Sequence, residues 1–208
     1  MTMQIAPLLR ALADPTRLRI MRLLAHMELA VGELAWSEVS DNLFIGESGN
    51  NCPVEYVNWE DAQEFVRRLN AKTGKVCRLP SEAEWEYACR AGGRDEYCGG
   101  NNLDAVGWYR ANSSGKTQAV AGKQANAWGL YDMNGNVWEL TQECWSERHS
   151  GAPNDGTVRA GGDCSYRVVR GASWSDSPQS VRTTNRNRNA VSGRFNDSGF
   201  RLARTLAP

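Results

Sequence analysis

The segment from residue 167 to residue 204 constrains the fold more than any other part of the chain. It reads RVVRGASWSDSPQSVRTTNRNRNAVSGRFNDSGFRLAR. Its two ends, VVRGASW and GFRLAR, have the composition of buried strands, whereas the residues between them are small, polar or arginine and follow neither helical nor strand period. The pattern predicts two buried strands that frame a long stretch of surface loops.

Two amphipathic helices are predicted earlier in the chain. In VNWEDAQEFVRRLNAKTG, Asn58 is the expected N-cap, Asp61 occupies the third helical position and Gly74 is the expected terminator. The apolar stripe of this helix is Ala62, Phe65, Val66 and Leu69.

The second helix lies in RLPSEAEWEYACRAGG, where Ser81 and Glu84 form a capping box. It is expected to end at Gly92–Gly93, with Trp85, Ala88 and Cys89 on its inner face. Beyond residue 94, short apolar bursts such as VGWY, WGLY and NVWEL indicate short strands and long loops. Two helices followed by a loop-rich β region predict an α+β domain.

The composition describes an ordinary globular chain of 208 residues with 24 basic and 24 acidic side chains. No apolar run approaches the ~18 residues that cross a bilayer. The N-terminus has no secretory pattern, which predicts a cytoplasmic location and leaves surface or virion display by another route open. Without a signal peptide the six cysteines are expected to be reduced thiols or core residues, and two histidines make a zinc site improbable.

Residues 1–35 differ from the rest and are predicted to form a helical arm. The stretch ALADPTRLRIM resembles the ALADPTRLRIL opening of ArsR-type winged-helix repressors. Metal-sensing members have Cys-Val-Cys where this chain has Ala30-Val31-Gly32, and no recognition helix or wing follows Leu34. A packing or interaction arm is therefore favoured, with a DNA-linked regulator as an alternative.

Five motifs in order, PVEYVNWEDAQEF, RLPSEAEWEYACRAG, WGLYDMNGNVWEL, RVVRGASW and GFRLAR, resemble the formylglycine-generating enzyme (sulfatase-modifying factor) family. The resemblance implies a C-type-lectin-like domain over residues 36–208, in which a small twisted sheet and two helices support long loops. In that family, oxidase chemistry uses two copper-binding cysteines in the final segment.

The copper-binding thiolates have no counterpart in this chain, because no cysteine follows Cys164. Soft Cu(I) needs such thiolates, and the region where they would lie contains Ser175, Asp176, Ser177, Ser180 and Val181. No copper is expected, and the chain is predicted not to be an enzyme. A formylglycine-generating-type oxidase acting on protein cysteine stays an alternative.

The final segment also resembles that of diversity-generating retroelement variable proteins, in which this fold presents a hypervariable binding face. The order RGASW, SDSPQS, NRNRN, AVSGRFNDS and GFR matches their pattern, with 167–204 as the variable region. Adenine-directed mutagenesis of asparagine codons yields Ser, Asp, Thr, Gly, Ala, Val and Phe, the residue types found here. The competing interpretation is that of ordinary surface loops in a non-catalytic family member.

The resemblance to variable proteins predicts a non-catalytic face that binds an unidentified protein or surface ligand, with oligomers or display adding avidity. Phe195 is the expected energetic anchor, because exposed aromatic residues carry a large share of interface energy. The substitutable positions are Ser175, Asp176, Ser177, Ser180, Thr183, Ala190, Val191, Ser192, Phe195 and Asp197, with Trp174, Asn185 and Asn187 at the floor or margin.

Nucleic-acid binding is disfavoured although the segment has eight arginines and only two acids. Lysines and exposed stacking aromatics are lacking around the RNRN run. A structural role is preferred for Arg182, Arg186, Arg188 and Arg201, since one guanidinium can satisfy several acceptors.

The YDMNGNVWEL turn is the candidate metal site. The family resemblance implies one Ca²⁺ bound by the side chains of Asp132 and Glu139 and by the carbonyls of Gly135 and Val137. The alternative is a tight Asn-Gly turn whose carboxylates accept backbone N–H bonds. A second family calcium loop is not expected, because no acidic residue lies between Ala105 and Tyr131.

Overall fold

A computed structural model describes residues 51–148, 153 and 155–204. The helical arm predicted over residues 1–35 and the domain boundary predicted at residue 36 lie outside the described residues. None of the helices within the described ranges is long and apolar enough to cross a membrane.

The first described helix, α1, runs over Trp59–Thr73. The Asn58 side chain accepts from the Asp61 backbone N–H, and the Asp61 carboxylate accepts from the Asn58 N–H, which completes the capping box. Gly74 ends the helix at a φ of 68°, a left-handed conformation that glycine adopts without strain. The predicted stripe from Ala62 to Leu69 is buried, so these expectations are confirmed.

Strand β1 (Cys77–Arg78) precedes helix α2, which runs over Glu82–Arg90. The Ser81–Glu84 capping box forms as expected. The helix ends at Ala91, slightly before the predicted Gly92–Gly93, because Ala91 itself takes the left-handed C-cap conformation. A short helix, α3, spans Leu103–Val106.

The main sheet has the strand order β4-β3-β2-β5. Its strands are β2 (Trp138–Trp145), β3 (Asp163–Arg170), β4 (Arg186–Ala190) and β5 (Ser198–Gly199). β2 pairs antiparallel with β3 and parallel with β5. A last strand, β6 (Ala203–Arg204), pairs antiparallel with β1 in a separate two-stranded sheet.

Strand β4 corrects the prediction that no strand interrupts the polar part of the final segment. Its five residues pair antiparallel with Tyr166–Arg170 of β3. Repeated Asn and Arg side chains do not alternate in polarity, so the sequence pattern misses a strand that exists through backbone pairing with its neighbour. The predicted VGWY strand is also wrong, since Trp108 forms only an isolated bridge with Gly135, and WGLY has no strand.

The apolar face of α1 packs against the strands that end the chain. Phe65 of α1 meets the ring of Phe200 edge-on, with 5.5 Å between ring centroids. Leu69, Leu140 and Val169 belong to the same buried cluster. A second cluster forms under α2 around Trp85, Cys89 and Met133.

The six cysteines were expected to be reduced thiols or core residues, and the expectation of reduced thiols is wrong for four of them. Cys89 is joined to Cys98, and Cys144 to Cys164, in two disulfides. Cys52 and Cys77 are free. The prediction rested on the missing signal peptide, whereas the pairing follows from spatial proximity that spacing along the chain does not reveal.

Candidate ligand-binding face

The final segment changes from buried to exposed at sharply defined positions. Residues 168–173 and 198–200 are buried, and these are the ends of the strands that frame the segment. Between them the exposed or half-buried residues predominate, from Trp174 to Asp197. The frame therefore belongs to the core, and most of the residues that it encloses face solvent.

Arg170 holds the first end of the frame through a network of buried charges. It is 0% exposed, and its guanidinium donates to Glu82 at 2.9 Å and to Glu86 at 2.8 Å. It also donates to the Thr183 carbonyl at 2.7 Å and lies over the Trp85 ring. Arg170 is not among the residues predicted from the sequence, although an arginine directly after two valines in a predicted buried strand is itself a signal for a buried ion pair.

Arg186 joins β4 to the same network. Its Nε and Nη2 atoms donate to the two Glu82 oxygens at 2.8 and 2.6 Å, a bidentate pair, and Nη1 donates to the Ser146 carbonyl. Arg186 also stacks on Trp145. The structural role predicted for this residue agrees with its contacts.

The other three predicted arginines differ in how strongly they are held. Arg201 pairs with the buried Glu139. Arg182 forms an exposed pair with Glu96, and Arg188 lies over the rings of Tyr166 and Trp145.

A carboxylate cluster occupies the start of the enclosed stretch. The Ser173 hydroxyl donates to Asp176 at 2.6 Å and lies 3.5 Å from Asp197. Trp174 donates from its indole N–H to the Asn196 carbonyl at 3.2 Å, which ties the two ends of the stretch together. Burial, and then the nearby negative charge of Asp176, raise the pKa of Asp197 above its usual range. The structure thus brings together Trp174, Asp176 and Asp197, with Ser175 beside them, as predicted for one face.

A second group forms a tight turn. The hydroxyls of Ser177 and Ser180 lie 3.5 Å apart, and the Asn185 amide donates to the Ser180 carbonyl at 2.7 Å. Thr183 lies between these residues in sequence but is only 3% exposed. The prediction that Thr183 lies on the exposed surface is therefore wrong, because its carbonyl is held by Arg170 and its side chain turns inward.

The third group is the turn after β4, with Ala190 and Val191 half-buried and Ser192 exposed. Two backbone bonds attach it to the start of α1: Trp59 N–H donates to the Val191 carbonyl and Tyr56 N–H to the Phe195 carbonyl. Phe195 is 41% exposed, as expected for an anchor. Asn187 is exposed on β4 and pairs with Val169 across the sheet.

Tyr56 is a residue of this surface that the sequence analysis missed. It is exposed and adopts a φ of 59°, which a bulky residue rarely does. Its backbone N–H bonds to the Phe195 carbonyl at 2.9 Å, which joins the two residues through their main chains. Tyr56 lies outside the predicted variable region, and no sequence pattern links it to the final segment.

The comparison with protein families matches residues 16–206 to the sulfatase-modifying factor enzyme 1-like domain. The chain belongs to this family. The match covers both helices, the sheet and the whole final segment.

Several known proteins are similar to the chain. The Treponema denticola variable protein 1 superimposes with a TM-score of 0.76 at 30% identity, covering 82% of this chain and 80% of that one. The chaperone protein LppX of Paenibacillus barcinonensis is 26% identical over 84% of this chain and 78% of its own length. The bovine formylglycine-generating enzyme is 32% identical over 75% of this chain, which spans only 45% of that enzyme. The C-type-lectin-like α+β fold expected from the motifs is confirmed.

The family's calcium turn fits a cation at one of its two carboxylates. The buried Oδ1 atom of Asp132 has no hydrogen-bond partner among the described residues, and burial raises the pKa of this carboxyl. Both Glu139 oxygens, however, already accept from Trp85 and Arg201. The side chains as they stand therefore fit a cation at Asp132 but not at Glu139, and the calcium site with the Gly135 and Val137 carbonyls stays a prediction.

Proposed function

We propose that the chain is a non-catalytic ligand-binding protein and that its C-terminal segment displays the binding face. The observation that carries this proposal is the change in burial at the frame. Residues 168–173 and 198–200, at and just beyond the ends of β3 and β5, are in the core, whereas nine of the ten predicted substitutable positions are exposed or half-buried. Loops anchored on rigid strands accept new side chains at little loss of core packing.

The absence of a thiolate pair supports a binding function over the oxidase chemistry of some family members. No cysteine follows Cys164, and Val181, in the region where the metal-binding cysteines of the enzymes lie, is a buried apolar residue. A valine side chain offers no donor atom to copper.

The similarity to the Treponema denticola variable protein 1 supports the second part of the proposal, a face that varies in sequence. The superposition covers 82% of this chain and 80% of that protein, which supports a shared architecture over most of both chains. On this proposal the ligand is a protein or a surface-exposed molecule.

The two disulfides favour display outside the reducing cytoplasm over the cytoplasmic location predicted from the N-terminus. Structural disulfides persist mainly in oxidising compartments. A face that binds surface ligands would also have to be exposed outside the cell. We therefore propose surface or virion display.

A randomised library tests the face. The codons for Ser175, Asp176, Ser177, Ser180, Ala190, Val191, Ser192, Phe195 and Asp197 are randomised together and the chains are displayed on yeast. Most members should retain the fold, because these side chains lie outside the core. A matched library at nine buried positions, including Val168, Val169 and Phe200, should lose it. Equal loss of folding in the two libraries would contradict the proposal.

The neighbouring DNA provides an independent check. A near-copy of the coding segment for residues 167–204, differing at adenines and lying beside a reverse-transcriptase gene, is expected. Its absence would return the chain to the generic non-catalytic class.

The oxidase alternative is tested directly. The purified chain is incubated with copper, oxygen and a cysteine-containing sulfatase-type peptide, and aldehyde is measured by mass spectrometry. No aldehyde is expected above the copper-only background, whereas stoichiometric aldehyde would establish an enzyme.

A further inference from the structure

A cavity of about 330 Å³ lies along one side of α2, lined by residues from Glu82 to Arg90. Its walls come from α2, from the end of β2, from β4 and from Pro153, Thr157 and Arg159. The volume is at the lower end of the roughly 300–1,000 Å³ range of small-molecule pockets. The cavity therefore has room for a small organic molecule.

Four charged side chains that line the cavity already form ion pairs. They are Glu82, Glu86, Arg90 and Arg186. The two oxygens of Glu82 accept from Arg170 and Arg186. Those of Glu86 accept from Arg90 and Arg170. These carboxylates cannot take up a further cation without breaking the network that holds β3 and β4.

Glu143 and Arg159 also line the cavity. Neither has an ion-pair partner among the described residues. The Arg159 guanidinium makes one hydrogen bond, from Nη1 to the Arg148 carbonyl at 2.7 Å. The Glu143 carboxyl accepts from the Glu82 N–H at 2.7 Å, at the first turn of α2. Both groups line the same cavity, and a guanidinium without an ion pair together with a buried carboxyl can receive a second carboxyl group.

The protonation state of Glu143 decides which ligand the cavity accepts. Burial raises the pKa of this carboxyl to about 7, and the neighbouring Glu82 charge adds to the effect. The N–H of Glu82 and the hydroxyl of Thr141 act in the opposite direction, and Arg167 on β3 is the nearby cation. In its neutral form Glu143 is a hydrogen-bond donor.

We propose that this cavity binds a small organic carboxylate, which pairs with the Arg159 guanidinium and accepts a hydrogen bond from the Glu143 carboxyl. The apolar part of the ligand packs against Ala83, Tyr87 and Pro153, which complete the wall. No activity is needed for this site, and none of the predicted positions of the binding face lines it.

The direction of the pH dependence follows from whether Glu143 is neutral or ionised. Below about pH 7 Glu143 is neutral and donates to the bound carboxylate, whereas above it the ionised group repels the ligand. Binding should therefore weaken as the pH rises from 6 to 8. Glu143→Gln retains an acceptor for the Glu82 N–H and is neutral at every pH, so it should bind with an affinity that is constant over this range.

Calorimetric titration of the purified chain with benzoate, benzamide and benzylamine tests the site. The three probes have the same ring and differ in charge, and benzoate should bind most tightly at pH 6. Arg159→Gln should weaken benzoate binding by about tenfold, the loss expected for one charge-assisted hydrogen bond. Arg94→Gln makes the same change of charge at an exposed residue outside the cavity and should leave the affinity unchanged.

Three results would overturn the proposal. They are no benzoate binding at pH 6, equal or tighter binding of benzylamine, and an Arg159→Gln affinity equal to that of Arg94→Gln. Thermal melts of each variant establish that it is folded. If Glu143→Gln is unfolded, the pH profile of the parent chain and the Arg159 pair of variants still decide the outcome.

Discussion

The network around Arg170 and the face it supports are adjacent in sequence but are built in different ways. Arg170 is fully buried and bonds to residues of α2 that are more than 80 positions away in the chain. The side chains from Ser173 to Asp197 bond mostly within their own segment, as the Ser173–Asp176 and Asn185–Ser180 bonds illustrate. The difference shows how one segment can tolerate replacement at many positions while its two ends cannot change.

The largest effect should come from Arg170→Ala, which removes the donor to one Glu86 oxygen and to the Thr183 carbonyl and one of the two donors to Glu82 Oε1. Removing one partner of a buried ion pair destabilises proteins by about 3–5 kcal/mol. Urea unfolding of this variant measures the loss.

Arg182→Ala is the matched control within the face. Its ion pair with Glu96 is exposed, with side-chain exposures of 52% and 45%. Surface pairs contribute about 0–1 kcal/mol, so the free energy of unfolding should barely change. Similar decreases in the free energy of unfolding of the two variants would contradict the distinction between the buried ends of the segment and its exposed face.

The next effect should come from the disulfide between Cys89 and Cys98, which closes a loop beneath α2. Replacing both residues by alanine should lower the free energy of unfolding by about 2–3 kcal/mol, mainly through the greater entropy of the unfolded chain. Cys52→Ala removes a free thiol and should change it little. If the double variant is as stable as the parent, the structure around α2 does not depend on this disulfide.

Calcium should stabilise the chain through Asp132 to an extent that depends on its concentration. At 100 times the dissociation constant the gain would be about 2.7 kcal/mol, and Asp132→Ala should abolish it. The parent melting temperature is measured in calcium and in EDTA. Glu139→Ala is not informative here, because it breaks the pair with Arg201 whether or not calcium binds. A melt that is insensitive to the chelator would leave the Asn-Gly turn as the explanation of this motif.

The smallest effect should be Asp197→Asn, which lies within the face. Because the folded-state pKa of Asp197 is raised, its ionised form is disfavoured, and this penalty is present above that pKa and disappears as the pH falls through it. The variant should therefore melt slightly higher than the parent at neutral pH, and the difference should vanish in acid. Melting curves from pH 3 to pH 7 check this, and a lower melting temperature at neutral pH would assign Asp197 to the frame instead.

Much of the face could be predicted because its motif frame is local. The residues RVVRGASW and GFRLAR carry the buried ends of the segment in their own composition, and all the predicted positions except Thr183 have some exposure. Thr183 was missed because its burial depends on Arg170, which reaches it from the neighbouring strand. Tyr56 was missed because it joins the face through a backbone bond to Phe195, far along the chain.

The sequence by itself determined the features that depend on neighbours along the chain. These are the two capped helices, the order of the family motifs and the lack of a cysteine after Cys164. Caps and amphipathic stripes act over three or four residues, so their chemistry is complete within a short stretch. Tertiary structure alone decided the β4 pairing, the two disulfides and the bonds of Arg186 to Glu82, which are 104 positions apart. Such contacts form between groups that only the folded chain brings together, and no local pattern specifies which partner each one finds.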